Sequence, residues 1–130
     1  MGRRMIGGLL VLVLAPAVAW SGSGMRSPRL NLRTTPRMAL GAPVQVLVIA
    51  ELSGGDEVED YYCPALEWEW GDGSKSVRES DCPPMEAGVG FARRFTAEHV
   101  YRLPGTYNVR LTLRRVSRSL AVANTSFTVN

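Results

Sequence analysis

The sequence predicts an all-β protein built as a two-sheet antiparallel sandwich of about seven strands, with a closed barrel as the structural alternative. After residue 20 no stretch repeats its apolar residues at the helical period. Several stretches instead alternate apolar and polar residues, separated at short, regular spacing by turns rich in Gly, Pro, Asp and Ser. The clearest is 107–114, where Tyr107, Val109, Leu111 and Leu113 share one face and Asn108, Arg110, Thr112 and Arg114 the other. That alternation puts one face on a core and the other in water.

The remaining strands follow in order. Residues 29–34 open the sandwich, with Leu30 and Leu32 on one face. Pro36 and Pro43 bracket an irregular piece, and because proline inside a sheet is confined to edge strands, this region is expected to be an edge strand that breaks or switches sheets. The near-continuous apolar run 44–52 implies burial on more than one face; its β-branched residues and its length favour a strand over a buried helix. Residues 53–60 read as an acidic loop. Residues 65–70 place Trp68 and Trp70 on one face and Glu67 and Glu69 on the other, before Asp72-Gly73, expected as a type I′ turn with positive φ at both residues. A short exposed strand over 74–80 then returns to Cys82, and Pro83, Pro84 and Gly88 mark a further loop.

Val89, Phe91, Phe95, Ala97, His99 and Tyr101 share a parity, with Arg93 interrupting the apolar side. Pro104-Gly105 makes the next turn, Pro presetting φ and Gly taking the position that needs it positive. The last strand spans 120–129, with Phe127 and Val129 inward and a parity shift near Ala123 that suggests a bulge. Asn124-Thr125-Ser126 matches a glycosylation triplet, a match that is silent in a bacterial export route.

A chain of 130 residues, 45% apolar, has room for one domain and one core. Arg3 and Arg4, an apolar run over 5–15 and Ala17-Val18-Ala19 have the three parts of an export signal. Residues 1–19 are therefore expected to be a signal peptide with the mature chain starting at Trp20, residues 20–28 a flexible lead, and 29–130 the domain. The alternative is a retained anchor, but the run is short of the roughly 20 residues a span needs. Taking Arg3 and Arg4 from the 15 basic residues leaves 13 against 12 acidic ones. The formal charge of +3 is thus no sign of nucleic-acid binding. The expected location is the periplasm, the cell surface or the medium, with no stable membrane span after cleavage.

In an exported chain Cys63 and Cys82 are expected to form one disulfide, closing a loop worth about 3 kcal/mol by chain entropy. Zinc is the rival reading, weakened because His99 is the only histidine. Asp56, Glu57, Glu59 and Asp60 are weak calcium candidates, with Asp72 as a further oxygen donor; they lack a spaced Asp ladder, and a solvated loop is the simpler reading. No cofactor is called for. His99 is expected to be a hydrogen-bonded side chain at a strand end rather than a base, Glu67 and Glu69 have no evident pocket, and no serine stands in a nucleophile motif.

Trp68-x-Trp70-Gly71-Asp72-Gly73-Ser74, followed by His99-x-Tyr101-x-x-Pro104-Gly105-x-Tyr107-x-Val109-x-Leu111, resembles the paired signature of the polycystic kidney disease (PKD) domain family over roughly residues 29–130. The chain departs from it in carrying Trp70 where Phe is more usual and in the Cys63 and Cys82 pair. The resemblance implies an immunoglobulin-like β-sandwich, here a bacterial exported single-domain member, and scaffold roles for the motif residues. Trp68 and Trp70 would fill the core, Tyr107 would act as a tyrosine corner bonding back to backbone, and Asp72 would bond its own turn. It further implies a non-catalytic module for binding protein or carbohydrate, or for adhesion or spacing, acting alone or through a separately encoded partner. The alternatives are an accessory substrate-binding subunit of a secreted hydrolase, an enzyme, and an anionic-surface binder using Arg110, Arg114, Arg115 and Arg118, which otherwise read as solvated edge charge.

Overall fold

The structure is a computed structural model that describes residues 2, 7, 8, 11, 12, 26–56, 59–88 and 90–130. The export signal, the start at Trp20, the lead up to residue 25, Glu57 and Val89 lie outside the described residues. Among those described, no helix is long and apolar enough to cross a membrane.

Among the described residues eight strands form two packed sheets: β1 (Arg29–Thr35), β2 (Met38–Ala39), β3 (Val44–Ser53), β4 (Ala65–Glu69), β5 (Lys75–Arg78), β6 (Arg94–Tyr101), β7 (Gly105–Arg115) and β8 (Arg118–Val129). One sheet has the order β1-β3-β6 and the other β2-β8-β7-β4-β5. A 3₁₀ turn at Glu59–Tyr61 follows β3. The expected sandwich is therefore present. The edge strand between the two prolines is the two-residue β2, and it pairs parallel to β8, a departure from the antiparallel sandwich. It lies between Pro36 and Pro43, where the chain leaves the β1 sheet and joins the other, as the prolines suggested.

Alternation along the strands builds the core. Val46, Val48, Ala50 and Leu52 of β3 face Leu66 and Trp68 of β4, Val109, Leu111 and Leu113 of β7, and Phe127 and Val129 of β8, all buried. Leu47 and Ile49 on the outer side of β3 are half-buried, so this strand is fully covered on one face only. Residues 26–28 belong to the packed body rather than to a free lead: Pro28 is buried, and Arg26 and Asp56 exchange two hydrogen bonds.

Two local expectations are corrected. Positive φ falls on Gly71 (82°) and Gly73 (89°), not on Asp72. The connection is accordingly a longer loop, in which the Trp70 N–H donates to the Ser74 carbonyl at 3.2 Å. Gly71 is fixed twice over, since a Cβ there would lie 2.7 Å from the Asn108 carbonyl oxygen as well as at an unfavourable φ. The irregularity in β8 sits at Leu120 rather than at Ala123: Leu113 pairs with Ala121 and Arg114 with Ser119, leaving Leu120 as the extra residue.

Candidate functional site: the aromatic column and its polar cap

The motif residues converge on a single feature that joins the two sheets. β4 brings Trp68 beneath Trp70, their rings stacked at 5.5 Å. β6 brings His99 flat onto Trp70 at 4.5 Å, with Tyr101 edge-on to His99 at 4.8 Å. Tyr107 of β7 and Phe127 of β8 continue the column at 4.2 and 5.6 Å from Tyr101. The period of two in each strand is what delivers these rings to one line.

Hydrogen bonds lock the column. The buried Tyr101 hydroxyl donates to the Trp70 carbonyl at 2.7 Å, and the Trp70 indole N–H donates to Ser76 Oγ at 2.9 Å. Burial, reinforced by nearby Asp72 and Tyr107, pushes the Tyr101 phenol well above its ordinary range. The Tyr107 hydroxyl donates to the Leu103 carbonyl at 2.5 Å, a side chain bonded back to backbone four residues upstream. Pro104 and Gly105 form the turn between them, with Gly105 at φ 156°.

At the open end the column is capped by Asp72, Ser74 and His99. His99 Nε2 lies 2.7 Å from Asp72 Oδ2, the Ser74 N–H donates to Asp72 Oδ1 at 3.0 Å, and the Ser74 hydroxyl bonds the same oxygen. Partial desolvation pushes the Asp72 carboxyl up, but the hydrogen bonds from Ser74 and His99 outweigh it and hold the group at about 2. The three residue types are those of a hydrolase triad, yet the connectivity is different. A triad needs Ser and Asp on opposite imidazole nitrogens. Here the carboxylate occupies Nε2, Ser74 Oγ is 3.4 Å from that same nitrogen, and the serine proton is committed to Asp72. The cap ties the β4–β5 loop of one sheet to β6 of the other.

The other singled-out residues meet each other. Asp60 pairs with Arg118 and lies 3.9 Å from Arg115, while Arg115 donates to the Glu59 carbonyl at 2.9 Å. The acidic loop and part of the arginine face are thus mutual partners. Arg110 lies 3.8 Å from Glu69, and Arg114 Nε lies 3.1 Å from Glu67 without the alignment of a hydrogen bond. Lys75 completes the cluster at 3.5 and 3.6 Å from Glu67 and Glu69. β7 runs between β4 and β8, so Arg110 and Arg114 are not edge charges as the sequence suggested. They are cross-strand partners of acids, a pairing invisible until the register is known.

Among the described residues no group of three or more His, Cys, Asp or Glu side chains converges to hold a metal. Asp56 accepts from the Arg26 N–H at 3.1 Å, and Asp60 is held by arginine. Cys63 and Cys82 are joined in a disulfide, which overturns the zinc reading.

No family profile and no curated protein matches the chain. A solved structure similar to it is the PKD domain of an M14-like peptidase from Thermoplasmatales archaeon SCGC AB-540-F20, with a TM-score of 0.55 at 16% identity, covering 82% of this chain and 98% of that one. The fold is thereby a PKD-like, immunoglobulin-like β-sandwich.

Proposed function

We infer that the protein is an exported, non-catalytic module that binds a partner or spaces domains apart. The observation that carries this reading is the cap: Asp72, Ser74 and His99, the residues closest to catalytic types, are spent on joining two sheets. The motif rings are likewise in the core. Among the described residues every Trp, Tyr and Phe is buried or half-buried, so contacts to a partner come from strand edges, loops and charged faces. Those surfaces suit protein better than carbohydrate, which remains the second ligand class. The disulfide supports an oxidising compartment and hence export. The similar domain of a peptidase supports the alternative of an accessory subunit that holds substrate for a secreted hydrolase.

The test pairs binding with turnover. Affinity purification from the envelope and the medium is expected to retain a specific protein or glycan, and recovery of a hydrolase would favour the accessory reading. Turnover of peptide, ester or glycoside substrates that disappears in His99→Gln with unchanged melting would reverse the non-catalytic assignment.

A further inference from the structure

Strand β5 is the outer edge of the five-stranded sheet and pairs with β4 alone among the described strands. All four of its residues are exposed, whereas β1, β2 and β6 each bury at least one. The hairpin register determines which backbone groups are free. The Trp70 N–H bonds the Ser74 carbonyl, so residues 70 and 74 form a hydrogen-bonded pair. Such pairs alternate along an antiparallel ladder. With Glu69 opposite Lys75, Trp68 opposite Ser76, Glu67 opposite Val77 and Leu66 opposite Arg78, Ser76 and Arg78 turn their N–H and C=O toward β4. Lys75 and Val77 turn theirs outward, and Glu79 is the exposed residue directly after the strand ends at Arg78.

We propose that two copies of this chain associate through β5, antiparallel and centred on Val77, to form one continuous sheet. The charges select the register. Centring on Lys75 would set that lysine against its own copy, and centring on Ser76 would set it against Val77. Centring on Val77 instead sets Val77 against Val77, Lys75 against Glu79 of the other copy, and Ser76 against Arg78, with no like charges opposed. The outer-face row Arg110, Glu69, Lys75 then continues with an acid, so signs alternate across the junction.

A lysine on an exposed edge ordinarily blocks edge pairing. In this register Glu79 answers it twice, once on each side of the two-fold axis. Val77 is 52% exposed and supplies the apolar centre. The Cys63–Cys82 disulfide closes the open end of the β4–β5 hairpin, which holds the edge in place before contact. The interface is short, so the association is weak and reversible.

Sedimentation across a micromolar-to-millimolar range is expected to show a concentration-dependent dimer. Val77→Pro removes an outward N–H and no bond to β4, and should give a folded monomer. Lys75→Glu should raise the dissociation constant at least about tenfold by placing acid against Glu79. The double exchange Lys75→Glu with Glu79→Lys should restore the dimer. A monomer throughout the range, a dimer unaffected by Val77→Pro, or a charge exchange that fails to rescue would each overturn the proposal. Concentration-dependent protection of the Lys75 and Val77 amides against hydrogen exchange reads the same edge without mutation.

Discussion

Trp68 is 3% exposed and stacked on Trp70, so truncating it leaves a void that close-packed neighbours cannot fill. Trp68→Ala is expected to cost about 3–5 kcal/mol in denaturant unfolding. An unchanged midpoint would place the ring outside the core. Asp72 is partly exposed and gives a smaller effect of a different kind. Its carboxyl titrates at about 2 in the folded chain against an ordinary 3.8. A depressed folded value means that its contribution is complete above 3.8 and is lost as pH falls toward 2. Asp72→Asn should therefore lower stability by about 1 kcal/mol near neutrality and flatten the loss of stability across that acid window. Equal acid slopes in the two proteins would show that the cap contributes nothing. The sequence identified Asp72 as a turn residue and His99 as a bonded side chain. That they bond each other across two sheets depends on folding, since 27 positions separate them.

The β4–β5 hairpin is the element on which most of these features meet. It carries the tryptophans inside, the Glu67, Glu69 and Lys75 cluster outside, the cap at its loop and the disulfide at its open end. The bond links residues 19 apart in sequence, and its removal by the paired changes Cys63→Ser and Cys82→Ser should cost about 3 kcal/mol. Because β5 has few buried contacts of its own, hydrogen exchange should accelerate there first. Exchange that rises evenly over all strands would argue against a local clamp. Strand identity along this element was legible from alternation, and so was the expectation of a disulfide. The turn was not: both Gly71 and Gly73 were visible, but only the approach of Asn108 and the Trp70-to-Ser74 bond show which residues adopt positive φ.

At the scale of the molecule, the near balance of charge after Arg3 and Arg4 is matched by pairing in the fold, where acids meet arginines on the outer face of the larger sheet and beside the 3₁₀ turn. An arginine stripe exists in sequence and is neutralised in space. The proposal of export makes a direct prediction: intact-mass measurement of the secreted product should correspond to a chain starting at Trp20. A mass that still includes residues 1–19 would refute cleavage.

The class of fold, the inward and outward faces of β4 and β7 and the cysteine pair could be read from the amino-acid order alone. These follow from periodicity and turn chemistry, which are local. Tertiary structure decided the partners: which sheet each strand joins, that β2 runs parallel to β8, that Leu120 is the bulged residue, and that Arg110 lies over Glu69 while Arg118 meets Asp60. Side-chain alternation fixes the direction in which a residue points, but only strand order and register fix what it points at.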